Sequence, residues 1–93
     1  MIRSFGNRET ENIWLGHRSR RLSEDIQRIG LRKLELIAAA ANVDDLRIPP
    51  GNRLEMLKGD LKGFWSIRIN QQWRIMFRWV NGNAENVEII DYH

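Results

Sequence analysis

Residues 64–80 read FWSIRINQQWRIMFRWV, and the way this stretch folds back on itself decides the fold. Trp65, Ile67 and Ile69 occupy alternate positions before Asn70, and Trp73, Ile75, Phe77 and Trp79 do the same after Gln72. A period of two is the signature of strands with one buried face. Opposed residues in an antiparallel pair share a face, and a slip of one residue would reverse every side chain. A three-residue loop, Asn70–Gln72, sets Ile69 opposite Trp73, Ile67 opposite Ile75 and Trp65 opposite Phe77. A two-residue loop would oppose Ile69 to Arg74, and is rejected.

Working outward, the next alternating run is ENVEII (85–90), reached through NGN (81–83). The same requirement predicts a three-residue loop that pairs Phe77 with Val87 and Ile75 with Ile89, with Gly82 or Asn83 in the left-handed conformation. Upstream, RLEML (53–57) is a further short run, separated by KGDLKG. One face of this meander is apolar and requires a covering layer. The other carries Arg68, Arg74 and Arg78, with Ile90 and Tyr92 in line beside Arg74. Two readings of that face stand: a solvated surface, common for antiparallel sheets, or a phosphate-binding surface with a tyrosine at its rim.

The covering layer comes from the N-terminal half. IRSF (2–5) reads as a short opening strand. Asn7 is an N-cap for a short helix over Arg8–Leu15 with Gly16 as its stop. Ser23 caps a longer helix, with Glu24 and Asp25 in the first turn where they favour the macrodipole. Ile26, Ile29, Gly30, Leu34, Ile37, Ala38 and Ala41 give one apolar stripe, and Asn42 offers a stop. Gly30 costs that helix about 1 kcal/mol relative to Ala and marks close approach to a neighbouring element. VDDLRIPPGN (43–52) reads as non-helical because of its two prolines. Helices followed by a meander make an α+β fold.

The chain has 93 residues and no internal repeat or linker, so residues 1–93 form one domain. Its 42% hydrophobic and 29% charged residues are ordinary for a soluble, ordered domain. Cysteine is absent, which excludes disulfides and thiolate metal sites and points to a reducing cytoplasm. No stretch resembles a signal peptide or a membrane span. The net charge of +3 becomes informative only if the cations gather on one surface.

His17 and His93 do not make a metal ligand set. There is no P-loop, no GxGxxG and no nucleophile elbow. No metal and no cofactor is therefore expected. What remains is acid–base and electrostatic chemistry on a phosphodiester. Cleaving RNA through its own 2′-hydroxyl needs a proton acceptor, cations for the phosphorane and a donor for the 5′-oxygen. Tyr92, His93, Asp91 and Glu55 are candidates for proton transfer, and Lys58 and Arg74 for charge stabilisation. Each has a structural alternative: Lys58 as a turn residue, Arg74 paired with Glu88, Asp91 bonded to backbone, His93 idle at the chain end. Trp73 and Trp79 belong to the core set, whereas Trp14 is expected to be exposed, available to a partner.

RIPPGNRLEMLKGDLKGFWSIRINQQWRIMFRWVNGNAENVEIIDYH (47–93) resembles a HigB-type toxin of the RelE/ParE superfamily, and the likeness begins as early as MIRSF. It is most specific in LKGDLKGFWSIRIN-x-x-WRIMF and the terminal DYH. The resemblance implies a βααβββ arrangement, a small antiparallel sheet packed against two N-terminal helices, with an extra strand near Leu54. It implies an endoribonuclease that cuts mRNA in the ribosomal A site. It further implies a HigA-like helix-turn-helix antitoxin, through which alone operator DNA is bound, and no membrane partner. Carried over by position, Lys58 and Arg74 bind phosphate, and Asp91, Tyr92 and His93 form a terminal catalytic cluster. Arg53, Lys62, Arg68 and Arg78 are the expected RNA contacts. One departure is Glu55, where some relatives carry histidine: a glutamate can act as base but is a poor acid unless burial raises its pKa. Two competing readings are a ParE-like inhibitor of DNA gyrase without chemistry, and a nucleic-acid-binding module. Arg74→Ala and loss of Tyr92–His93 are expected to abolish toxicity with the fold intact.

Overall fold

The computed structural model describes residues 1–92; the candidate His93 lies outside them. Two helices, α1 (Arg8–Trp14) and α2 (Glu24–Ala39), precede four strands, β1 (Glu55–Met56), β2 (Phe64–Arg68), β3 (Trp73–Val80) and β4 (Asn83–Asp91). The strands form one antiparallel sheet in the order β1-β2-β3-β4. The extra strand expected near Leu54 is β1, which pairs Glu55 with Ser66 and Met56 with Trp65.

Both helices start where their caps place them. The Asn7 side chain accepts from the Thr10 amide, and the Ser23 hydroxyl from the Ile26 amide. α1 ends at Trp14, one residue before the expected boundary, and α2 at Ala39 rather than Ala41. α2 lays Ile26, Gly30, Leu34 and Ile37 over the apolar sheet face, where Ile67, Ile69, Ile75, Phe77, Val87 and Ile89 complete the core. Gly30 sits where the expected close approach occurs: a Cβ there would lie 3.4 Å from Ile89 Cδ1 and 3.6 Å from Ile69 Cδ1. α1 is tied to β4 by the buried Thr10 hydroxyl, which accepts from the Ile89 amide at 3.0 Å.

The β2–β3 register is the one alternation demands, with Trp65 opposite Phe77 and Ile67 opposite Ile75. The β3–β4 connection differs in detail. Ile75 does face Ile89, but Val80 pairs with Asn83, so the loop has two residues, not three. Asn81 (φ 51°) and Gly82 (φ 79°) are both left-handed, as a tight hairpin turn matching the strand twist requires, and Asn83 is not among the positive-φ residues. The third residue appears instead as a bulge at Asn86 (φ 53°), which shifts the register between Met76 and Arg78 and breaks the expected Phe77–Val87 pair.

Three further expectations need correction. IRSF runs parallel to β4 but bridges it only at Ile2–Ala84 and Phe5–Val87, because the Asn86 bulge interrupts the ladder between those points. VDDLRIPPGN contains two short 3₁₀ turns, Val43–Arg47 and Pro50–Asn52. Proline forbids a continued α-helix but is well placed at the first position of a single turn. Trp14 is half-buried against the core and lies 6.5 Å from Phe5 between ring centroids, so it is not a free aromatic surface.

Candidate active site

The polar sheet face is organised around Arg74. Its Cα partners are Arg68 on β2 and Ile90 on β4, so all three project to the side away from α2. Arg74 is only 7% exposed, the one charged residue in the buried class among those described. Burying a guanidinium requires that its N–H groups be satisfied. Nε donates to the Ser66 hydroxyl at 2.8 Å, and Nη2 donates to the Arg53 carbonyl at 2.6 Å and the Ser66 carbonyl at 3.2 Å.

The Arg53 carbonyl is within reach because Arg53 itself adopts the left-handed region (φ 46°) as the chain leaves the Pro50–Asn52 turn. Asn52 fixes that turn from inside: fully buried, its amide donates to the Leu46 carbonyl, and its oxygen accepts from Lys33 of α2. A layer of backbone and helix contacts thus supports the position of Arg74.

The counter-charge is Glu55, whose Oε1 lies 3.7 Å from Arg74 Nε. The alternative partner Glu88 is engaged elsewhere, accepting from the Asn7 amide at 3.2 Å. Burial lowers the Arg74 pKa most, with Arg68 and Arg53 adding to it, while Glu55 and Tyr92 pull it back up. An arginine under such pressure still stays charged.

Tyr92 closes the arrangement. β4 continues one residue past its ladder, anchored where the Tyr92 amide donates to the Gln72 carbonyl at 2.7 Å. The ring then lies over Arg74, with Cζ 5.4 Å from its centroid. Its hydroxyl interacts with the Glu55 carboxylate, and this hydrogen bond, followed by the carboxylate's charge, raises the phenol pKa above its usual value. Arg74 opposes that shift. Tyr92 therefore holds its proton at neutral pH and presents it to an anion.

Two depressions share Tyr92 as a wall. One, of about 310 Å³, is lined by Glu55, Lys58, Met56, Leu57 and Leu61. The other, of about 460 Å³, is lined by Arg53, Arg68, Asn70, Gln71 and Arg74. The expected candidates Glu55, Lys58, Arg53, Arg68, Arg74 and Tyr92 thus converge. Lys58 stands exposed at the head of the Gly59–Leu61 turn, between β1 and β2.

Among the described residues, Asp91, Arg78 and Lys62 are not brought into this cluster. Asp91 is the Cα partner of Trp73, which places it on the sheet face opposite Tyr92, and it accepts from the Gln72 side chain at 3.2 Å. Arg78 sits further along β3, its guanidinium 4.9 Å from the Phe64 ring centroid. Lys62 follows the Gly59–Leu61 turn and lines neither depression. Ser66 is the contributor that sequence reasoning missed. It was legible, since β2–β3 pairing puts it on the Arg68 side and diagonal to Arg74.

A family model described as the RelE-like toxin of type II toxin–antitoxin system HigB matches residues 4–93. Toxin HigB-1 of Vibrio cholerae serotype O1 is 52% identical over 69 residues, covering 74% of this chain and 73% of that protein. Endoribonuclease HigB of Proteus vulgaris is 35% identical over 94 residues, covering 100% of each chain. Among solved structures, a YafQ variant from E. coli superposes with a TM-score of 0.67 at 11% identity, covering 98% of this chain and 93% of that one. A chain of the YoeB–YefM complex from Staphylococcus aureus superposes with a TM-score of 0.63 at 16% identity, covering 100% of this chain and 98% of that one. At such identities the last two are likenesses of fold.

Proposed function

The chain belongs to the HigB-like toxins of type II toxin–antitoxin systems, and from that premise we propose that it is a ribosome-dependent endoribonuclease that cuts mRNA in the A site. The observation that carries the reading is the convergence of Glu55, Lys58, Arg74 and Tyr92 on two adjoining depressions. Cations and a paired proton donor and acceptor meet there, as 2′-hydroxyl attack on the adjacent phosphate requires.

In this reading the 2′-hydroxyl passes its proton to Tyr92 as Tyr92 gives its own to Glu55. Relay suits a phenol whose pKa is raised, because it never has to exist as free phenolate. Arg74, fixed from below, holds a phosphoryl oxygen, and the exposed Lys58 ammonium neutralises charge from the other depression. His93, by its sequence position, protonates the departing 5′-oxygen. Arg68 shares the scissile phosphate with Arg74 and Arg53 holds a flanking one, with Arg78 and Lys62 as outlying contacts to the backbone. Asp91, on the reverse face, anchors the strand end rather than joining the chemistry. No step calls on a metal or cofactor.

The partner that silences the toxin would be a HigA-like helix-turn-helix antitoxin, through which the pair reaches operator DNA. YoeB is likewise found with YefM. No helix among the described residues is long and apolar enough to cross a membrane, and the proposed setting is the cytoplasm, where translating ribosomes are.

Reconstituted translation tests the proposal. We expect mRNA fragments ending in the A-site codon when ribosomes are present, and intact mRNA when they are omitted. Equal cutting of free mRNA would remove the ribosome from the account. Absence of fragments alongside inhibited DNA supercoiling would replace a nuclease with a gyrase inhibitor.

A further inference from the structure

We infer that Ser66 is a positioning residue for Arg74, limiting that arginine to one phosphoryl oxygen; the functional half of this inference rests on the nuclease reading above. A guanidinium has five N–H donors in a rigid plane. Three are committed here: Nε to the Ser66 hydroxyl, and the two of Nη2 to the Arg53 and Ser66 carbonyls. Every two-nitrogen fork a guanidinium can offer uses Nε or Nη2. Only Nη1 carries no hydrogen bond to a described residue, so Arg74 meets a phosphate through one nitrogen.

The second non-bridging oxygen must then be held by a different cation. Arg68, the direct Cα partner of Arg74 in the same depression, is the group placed for it. Ser66 is completely buried, touches neither depression and cannot reach substrate. Its hydroxyl does two things at once. It satisfies the Nε that burial would leave unpaired, and it turns the guanidinium plane so that Nη1 is the free corner. It also helps balance Glu55, which approaches the same Nε at 3.7 Å. Without the hydroxyl, Nε is free to rotate toward the carboxylate and close the salt bridge, drawing Nη1 away from the phosphate.

Ser66→Thr and Ser66→Val add the same bulk to the buried site and differ only in the hydroxyl. We expect the Thr variant to retain single-turnover mRNA cleavage on ribosomes within a few-fold of the parent. The Val variant should fall by on the order of 10- to 100-fold, the scale of a reacting group misplaced by about an ångström. The ribosome concentration giving half-maximal rate should not change in either. NMR gives a readout independent of catalysis: the Arg74 Nε–H resonance should exchange slowly with water in the parent and the Thr variant, and rapidly in the Val variant. Equal rates and equal Nε–H exchange in Thr and Val variants, whether both high or both low, would overturn the inference. If the parent cuts no mRNA, the nuclease reading falls, and Nε–H exchange alone still decides whether Ser66 sets the arginine.

Discussion

Tyr92 lies over Arg74 with the guanidinium carbon 5.4 Å from the ring centroid. The last described residue thus caps the buried cation of the polar sheet face. A cation over an aromatic face contributes about 0.5–1 kcal/mol where water has access. More consequential is the geometry, since the ring roofs Arg74 while its hydroxyl reaches Glu55. One side chain joins the cationic depression to the one holding Lys58.

Arg74 is where the proposed activity and stability would be coupled. Replacing it by Ala strands the Ser66 hydroxyl and two carbonyls that accept from it, which costs about 1–3 kcal/mol for buried groups left unpaired. The fold-neutral outcome expected of Arg74→Ala from sequence is therefore revised: this variant should be inactive and also melt earlier. Arg74→Lys keeps a charge but cannot bond Ser66, Arg53 and phosphate together. We expect its ribosome-dependent cleavage to fall about 10²- to 10³-fold, the scale for losing one transition-state donor. Urea denaturation beside single-turnover cleavage separates the two effects; a Lys variant with parental rate would remove Arg74 from the chemistry.

Tyr92→Phe isolates the hydroxyl. The ring over Arg74 and the backbone bond to Gln72 remain, and Tyr92 is 39% exposed, so stability should change by no more than about 0.5 kcal/mol. Cleavage should drop by about 10²- to 10⁴-fold, the usual share of a positioned proton-transfer group. Growth inhibition on induction, checked against melting temperature, would show it; full toxicity in the Phe variant would leave Tyr92 a stacking residue.

How much of this was legible in the chain depends on where alternation is unbroken. From Trp65 to Phe77 the apolar residues leave one register, and the structure has it. Beyond Val80 three residues able to adopt positive φ lie close together, Asn81, Gly82 and Asn86, and pattern alone does not say which share the turn and which make the bulge. The same alternation puts Asp91 and Tyr92 on opposite faces of the sheet, which their adjacency in DYH does not reveal. Glu88 is an alternative partner for Arg74 by adjacency in the sheet, and adjacency says nothing of Asn7, which arrives from a distant part of the chain and engages that carboxylate. Arg53 approaches Arg74 through a backbone carbonyl and a left-handed turn, neither of which residue identity reveals.

Gly30 tests the packing of α2 on the sheet. It is helical, and an added methyl would meet only the ends of Ile89 and Ile69 at ordinary contact distance. Gly30→Ala should therefore stabilise the protein by about 0.5–1 kcal/mol through helix propensity. Gly6 is the contrast: a Cβ there would lie 2.8 Å from Glu88 Oε2 and 3.2 Å from the Asn86 carbonyl oxygen, so Gly6→Ala should destabilise. Chemical denaturation of the two variants checks the pair; a destabilised Gly30→Ala would mean that α2 packs closer than described.

Tyr92 is the chain's single tyrosine, so its ionisation can be followed directly by tyrosinate absorbance. The hydrogen bond to Glu55 and the charge of that carboxylate favour the neutral phenol, so the folded midpoint should lie above 10.0. A raised folded pKa means the contact's stabilisation is fully present below the unfolded value and is lost as pH climbs through the folded one. Its window is therefore alkaline, and near neutral pH the contact is intact. Glu55→Gln removes the anion while keeping a hydrogen-bonding side chain, and should bring the midpoint down toward 10.0. Arg74 pulls the other way, so Arg74→Lys, which moves the cation off the ring, should raise it. A midpoint that ignores Glu55→Gln would mean the phenol and carboxylate do not meet in solution, and the proton relay through Tyr92 would have no acceptor.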